Sequence, residues 1–150
     1  MAVGRLYSLM AKHPADVRLV FKQFPLDIHS QAGVAAEAAL AAHAQGKFWP
    51  MHDKLYVGFR EISQQKILEW AQEIGLDVVR FTMDLKSGKY KATVEKEEAQ
   101  GEQAGVLGTP TLFVNGKHFN GPIESDLLEK VIQTELKNAP ARTKTSAQSQ

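Results

Sequence analysis

The sequence predicts an α/β domain in which most of the chain is helical and about three strands form the sheet. Its 150 residues, 43% hydrophobic and 23% charged, suit a single globular domain with a real core. A run of β-branched and aromatic residues at 17–24 indicates one strand, and an apolar run followed by Asn115-Gly116 indicates a hairpin. The residues between these strands show helical periodicity.

Charge and composition exclude several classes of function. Eighteen Lys and Arg against 17 Asp and Glu give a net charge of +1, so no nucleic-acid or membrane partner is predicted. No apolar run approaches the ~20 residues of a membrane span. The first residues show no signal peptide, so a cytoplasmic location is expected. The chain contains no cysteine, which excludes disulfides, thiolate catalysis and Cys-ligated zinc.

The first two predicted elements are a helix and a strand. The helix covers Val3 to Lys12, has Leu6, Tyr7 and Met10 on its apolar face, and ends before Pro14. The stretch "VRLVFKQF", 17–24, is typical of a strand. Its apolar residues fall on both faces, which favours a strand in the interior of a sheet.

A long helical region follows this strand. Its first helix is alanine-rich and the next has a proline in its first turn. The predicted caps and stops are Gly46, Ser63, Gly75 and Asp77. A last charged helix, 89–103, contains Gly101, which costs ~1 kcal/mol against alanine. We therefore expect Gly101 to permit close packing against the sheet.

The end of the chain carries the hairpin and one more helix. Residues 111–114 form the first strand, Asn115-Gly116 the type I′ turn, and 117–120 the return strand. The amphipathic stretch "SDLLEKVIQTEL" follows. Residues 138–150 lack apolar side chains larger than alanine, so a disordered tail is predicted there.

The predicted elements follow the order helix, strand, several helices, hairpin and helix. This order is most of a thioredoxin-like fold. The segments "VRLVFKQFPL", "AAEAALAAHAQGKFWPMHDKLY", "GLDVVRFTMDLKSGKY" and "GVLGTPTLFVNG" resemble, in that order, the DsbA-like thioredoxin family. The resemblance covers residues 17–136. It implies a thioredoxin-like domain at 1–137 with a DsbA-type helical insertion at about 29–104, related to thiol–disulfide oxidoreductases.

The resemblance also shows what these residues lack. The family's enzymes have a central strand that ends in Cys-x-x-Cys at the start of the first helix, which activates the thiolate. Met1 falls at about the place where that motif ends, so the N-terminal central strand and the dithiol are both missing. Ser8 lies inside the helix and offers no substitute nucleophile. No catalytic residue and no cofactor are therefore predicted.

Pro110 heads the hairpin, where its missing N–H removes one donor from the ladder. From the residues alone it is either a cis proline or a trans proline that starts an edge strand. The resemblance implies the cis form, which exposes the backbone of Thr109 to an extended substrate peptide. The predicted peptide-binding residues are Thr109, Pro110 and Thr111.

The histidines are the remaining candidates for chemistry. His43, His52 and Asp53 could be considered as metal ligands, but their spacing matches no metal site. His52 and Asp53 are neighbours on a helix and should point apart. No metal is predicted, and packing or surface roles are favoured.

Three functions remain open. The chain is a redox-inactive module that binds extended peptide, a truncated form of an active DsbA-like oxidoreductase, or a non-thiol enzyme like the glutathione transferases. Full-length relatives of the second kind are often periplasmic or exported. The missing strand would leave its two neighbours unpaired, and unpaired interior edges template association. We therefore expect a homodimer rather than a stable monomer.

Overall fold

The computed structural model describes residues 2–123 and 126–139. In these ranges it contains seven helices and one two-stranded sheet, which confirms a mostly helical α/β class: α1 Ala2–Lys12, α2 Ala32–His43, α3 Phe48–Val57, α4 Gln64–Glu73, α5 Val78–Lys86, α6 Lys91–Gln103, β1 Phe113–Val114, β2 Lys117–His118 and α7 Asp126–Asn138. Helix α7 extends one residue past the predicted domain end at 137. Residues 140–150 of the predicted tail lie outside the described ranges.

The chain divides into two compact units. The first combines the chain up to Val20 with the chain from Pro110 onwards, and the second spans Phe21–Thr109. The predicted helical insertion, 29–104, lies inside the second unit. The hairpin and the first and last helices belong to the first unit.

The core of the second unit is built around the alanine-rich helix α2. Small side chains on α2 let the neighbouring helices approach closely, and larger side chains from α3, α4 and α5 fill the space between them. Its buried residues are Ala38, Ala41, Ala42, Met51, Ile67, Trp70, Ala71, Leu76 and Phe81.

The ends of these helices follow the predicted caps. The Ser63 hydroxyl accepts a hydrogen bond from the Lys66 N–H at 3.2 Å, and the Asp77 carboxylate accepts one from the Arg80 N–H at 3.0 Å. Gly46 and Gly75 have φ values of 72° and 73°. Residues with side chains rarely adopt this left-handed conformation, so both glycines end their helices as predicted.

Gly58 lies directly against the ring of Trp70. A Cβ atom added at Gly58 would lie 2.6 Å from Cη2 of Trp70 and closer still to Cζ2. Trp70 is 5% exposed and belongs to the buried core. The ring cannot move aside without disturbing the core around it.

We therefore expect Gly58→Ala to lower the free energy of unfolding by about 1–3 kcal/mol, the usual cost of overpacking a core. Urea denaturation followed by tryptophan fluorescence measures the change. Gly33→Ala is the matched control, because a Cβ at Gly33 meets nothing within 4 Å and alanine is the better helix former. Equal stabilities for the two variants would contradict this account of Gly58.

The prediction of a strand at 17–24 is wrong, because none of the described residues pairs with this segment as a neighbouring strand. The segment is instead fastened to α6 by a side chain. Glu97 accepts a hydrogen bond from the Gln23 main-chain N–H at 2.8 Å and forms an ion pair with Lys22 at 3.2 Å. Val20 and Phe21 are 57% and 43% exposed, so the segment is not an interior strand buried on both faces.

Gly101 does permit close packing, but its partner is an aromatic ring rather than a sheet. A Cβ atom at Gly101 would lie 2.6 Å from Cδ2 of Phe24. Helix α6 therefore contacts the 21–24 segment at two places, through Gly101 and through Glu97.

The core of the first unit joins the hairpin to its two helices. Its buried residues are Leu9, Phe119, Ile123, Leu128 and Ile132. Leu9 of α1 is 2% exposed, whereas Tyr7, which the sequence placed on the apolar face, is 36% exposed. Helix α7 contributes Leu128 and Ile132, so α1 and α7 both support the hairpin through this cluster.

Candidate functional site

The hairpin has the turn that the sequence predicts. Phe113 pairs with His118 and Val114 with Lys117, which leaves a two-residue loop. Asn115 and Gly116 have φ values of 49° and 78°, as a type I′ turn requires. The Phe119 N–H donates to the Leu112 carbonyl at 2.8 Å and extends the pairing by one more residue.

The two faces of β1 have different surroundings. Leu112 and Val114 pack against the buried cluster of the first unit. Side chains alternate along a strand, so Thr111 and Phe113 belong to the opposite face. The Phe113 ring meets His118 edge to face at 5.3 Å, and the Phe113 side chain is half-buried.

One edge of β1 is open. The Leu112 carbonyl points towards β2, because it accepts the hydrogen bond from Phe119. Main-chain groups alternate in direction along an antiparallel strand, so the N–H and C=O of Phe113 point away from β2. Within residues 2–123 and 126–139, β2 is the one strand that pairs with β1. An extended chain could pair with this open edge.

Helix α7 holds the hairpin through Glu135. This carboxylate accepts hydrogen bonds from the Lys117 ammonium at 2.7 Å and from the Asn115 side-chain amide at 3.0 Å. These two hydrogen bonds, that from Lys117 first, lower the pKa of Glu135 below its usual value. One acidic side chain therefore fixes both the turn and the return strand.

This contact should make the hairpin sensitive to acid. Because the pKa of Glu135 is lowered in the folded state, its contribution is complete above the usual carboxyl pKa and is lost as the pH falls through the lowered value. We expect Glu135→Gln to remove that pH dependence from the Asn115 side-chain amide signal in an NMR titration. Glu129 lies on the same helix as Glu135 but pairs with Lys12 of α1. Glu129→Gln is therefore the control and should leave the Asn115 titration unchanged.

The three predicted peptide-binding residues lie two to four positions before Phe113, the first residue of β1. Thr109 and Pro110 are exposed, and Thr111 is half-buried. Pro110 and Thr111 belong to the same unit as the hairpin. A peptide extending along the open edge of β1 beyond Phe113 would pass Thr111 and then Pro110.

His52 lies in an aromatic cluster of the second unit that the sequence pattern did not predict. His52 is 8% exposed, and its ring contacts four aromatic rings, those of Phe21, Phe48, Trp49 and Tyr56. Phe48, Trp49 and Tyr56 lie on α3, four residues before, three residues before and four residues after His52. This helical spacing is the sequence signal from which the cluster could have been predicted.

The prediction that His52 and Asp53 point apart is also wrong. Nδ1 of His52 lies 3.0 Å from Oδ1 of Asp53. Nδ1 is the ring nitrogen nearer the backbone, so the short aspartate side chain reaches it from the next position. Across the described ranges, no group of three His, Cys, Asp or Glu side chains could hold a metal ion.

Two comparisons with known proteins match this architecture. The model of the DSBA-like thioredoxin domain matches residues 2–133. The solved structure of a thioredoxin-like oxidoreductase from Silicibacter pomeroyi DSS-3 is similar, with a TM-score of 0.71 and 26% sequence identity, over 93% of this chain and 79% of that one.

Curated relatives share the sequence over most of this chain but are much longer. The Na(+)/H(+) antiporter NhaA 3 of Salinispora tropica is 35% identical over 128 residues, which are 85% of this chain and 20% of that protein. The antiporter NhaA of Herminiimonas arsenicoxydans is 33% identical over 132 residues, 88% of this chain and 21% of that protein. The chain thus spans about one fifth of their length.

None of the helices among the described residues is both long and apolar enough to cross a membrane. The family match reaches into both compact units and includes the hairpin, helix α1 and helix α7 as far as residue 133. The chain belongs to the DSBA-like thioredoxin domain family.

Proposed function

We propose that this chain binds extended peptide segments without thiol chemistry, along Thr109, Pro110 and Thr111 and the open edge of β1. The observation that carries the proposal is the edge itself, where the N–H and C=O of Phe113 face away from β2. An added peptide strand would pair with these groups, as in β-strand addition.

The neighbouring groups define where such a strand would end. Pro110 has no N–H to offer, so it cannot donate to an added strand on that side. Gly116 and the tight turn end the strand on the other side. The half-buried ring of Phe113 lies between these limits and would contact alternate side chains of the peptide.

Disulfide exchange is not part of this proposal. Exchange begins with the attack of a thiolate on a disulfide sulfur, and these 150 residues contain no cysteine. The similar solved structure is described as an oxidoreductase, which makes oxidoreduction the second candidate function. The antiporter names belong to proteins about four times as long, and ion exchange is not transferred to this chain.

An NMR titration tests the binding. The probe is a short uncharged peptide of alternating valine and threonine, and its control is the same peptide N-methylated at every residue, so that neither edge can donate a hydrogen bond. We expect the first peptide to shift the amide signals of residues 111–114 to saturation and the methylated one to have no effect. Equal effects of the two peptides, or shifts confined to other residues, would refute binding at this edge.

An insulin-reduction assay tests the second candidate. We expect no turnover above a heat-inactivated sample, because no residue can form the mixed disulfide. Turnover by the purified chain would establish oxidoreduction and would refute the proposal that the chain acts without redox chemistry.

A further inference from the structure

We propose that Asn115 is a site of spontaneous covalent modification, in which its side-chain amide is lost as ammonia, and that Glu135 restrains this reaction. Asn115 and Gly116 form the exposed turn of the hairpin. An asparagine that precedes a glycine is the most open to attack by its own main chain, because glycine has no Cβ to shield its nitrogen. The reaction needs no peptide ligand and is therefore independent of the proposed function.

The reaction closes a five-membered ring within the turn. The main-chain nitrogen of Gly116 attacks Cγ of Asn115, so that an N–Cγ bond forms and the Cγ–Nδ2 bond breaks. The proton of the Gly116 N–H leaves with Nδ2 as ammonia, and a cyclic imide remains. Water then opens the ring by breaking one of its two C–N bonds. The product is either aspartate on the original main chain or isoaspartate, whose main chain runs through the side-chain carbon.

The turn leaves both reacting groups accessible to water. Asn115 and Gly116 are exposed. Among the described residues, none of the main-chain hydrogen bonds in turns and loops has the Gly116 N–H as its donor. Hydroxide can therefore reach this N–H and remove its proton, the step that makes the nitrogen a nucleophile.

Glu135 holds the amide group that would leave. Nδ2 of Asn115 donates to one carboxylate oxygen of Glu135 at 3.0 Å, while the other oxygen accepts a hydrogen bond from Lys117 at 2.7 Å. Ring closure requires rotation about the Cα–Cβ and Cβ–Cγ bonds of Asn115, and the hydrogen bond to Glu135 restricts both rotations. Because Glu135 lies on α7, this restraint exists only when the hairpin is packed on that helix.

The products would weaken the contact between the hairpin and α7. Aspartate carries a carboxylate where Asn115 donated a hydrogen bond, so two carboxylates would share the single ammonium group of Lys117. Like charges this close repel each other. Isoaspartate adds one carbon to the main chain of a turn that holds only two residues. Since ammonia is lost, neither change reverses, and weakened hairpins accumulate as the protein ages.

Mass spectrometry of the full chain after incubation at mildly alkaline pH measures the reaction. Trypsin releases residues 97–117 and 118–130 as separate peptides, and each contains one asparagine that precedes a glycine. We expect Glu135→Ala to raise the deamidation rate at Asn115 about three- to tenfold, the effect of losing one hydrogen bond to a charged group. Asn120, whose amide oxygen lies 2.5 Å from Nδ1 of His118, should deamidate at the wild-type rate.

Glu129→Ala is the matched control for Glu135→Ala. Both glutamates lie on α7 with side chains that are 20% exposed, but Glu129 pairs with Lys12 rather than with the hairpin. The control should leave the rate at Asn115 unchanged. The role of Glu135 is refuted if Glu135→Ala deamidates at Asn115 as slowly as the wild type, or if Glu129→Ala accelerates the reaction equally. Equal acceleration at Asn120 in Glu135→Ala would also refute it, because the cause would then be general unfolding.

Two further variants test the effect of the aspartate product on the hairpin. Asn115→Asp should make hydrogen exchange faster at the Phe119 N–H, which bonds to the Leu112 carbonyl. Combining it with Glu135→Gln exchanges the positions of the amide and the carboxylate, which restores a donor opposite an acceptor. Exchange should then return to nearly the wild-type rate. Unchanged exchange in Asn115→Asp, or no recovery in the double variant, would show that the modification does not weaken the hairpin through Glu135.

Discussion

Replacing Phe81 by alanine is expected to lower the free energy of unfolding by about 3–5 kcal/mol, the usual cost of removing a buried aromatic ring. Phe81 has no exposed surface and is the largest fully buried side chain of the described residues. Much of its cluster consists of alanines from α2, which are too short to fill the space that the ring leaves. Urea denaturation, followed by tryptophan fluorescence, measures the loss, since Trp70 belongs to the same cluster.

Val79→Ala is the matched control for Phe81→Ala. Val79 lies on the same helix and is 73% exposed, so its truncation should change the free energy of unfolding by no more than about 0.5 kcal/mol. If both variants unfolded at the wild-type urea concentration, Phe81 would not be the centre of this core.

The second large effect is expected from Leu128→Ala, which should lower the free energy of unfolding by about 2–5 kcal/mol. Leu128 on α7 has no exposed surface and lies in the cluster with Leu9 and Phe119. Its neighbour Leu127 is 45% exposed. Leu127→Ala therefore serves as a control of identical chemistry one position away and should cost much less.

Leu128→Ala should also loosen the candidate site. The Phe119 N–H that bonds to Leu112 reports on the hairpin, and hydrogen exchange at this amide should become faster in Leu128→Ala than in Leu127→Ala. Peptide binding should also be weaker in Leu128→Ala than in Leu127→Ala, because the packing beneath β1 holds its edge in place. Unchanged exchange at Phe119 would show that α7 does not support the hairpin.

The parts of this fold that sequence predicts well are those set by residues close together in the chain. Ser63 and Asp77 cap helices by binding an N–H three residues away. Asn115 and Gly116 define their turn through their own backbone angles. The hairpin, and with it the position of the candidate site, therefore follows from local sequence alone.

The parts that sequence predicts poorly depend on distant partners. The segment 17–24 has the composition of a strand, but a strand forms only beside a neighbour, and Glu97 binds the Gln23 N–H from 74 positions away. Lys117 and Asn115 bind Glu135 on a separate helix. Neither contact follows a short-range pattern, so the anchor of the hairpin is visible only in three dimensions.

The hydrogen bond from Gln23 to Glu97 has a consequence for solubility. The stretch "VRLVFKQF" has high β-propensity, which favours stacking between chains when it is exposed, although Arg18 and Lys22 give it two positive charges. Glu97 occupies the Gln23 amide, a donor that another molecule's strand would need, and brings a negative charge beside it. We therefore expect loss of the Glu97 carboxylate to lower solubility, so variants chosen for expression or crystallisation should keep it.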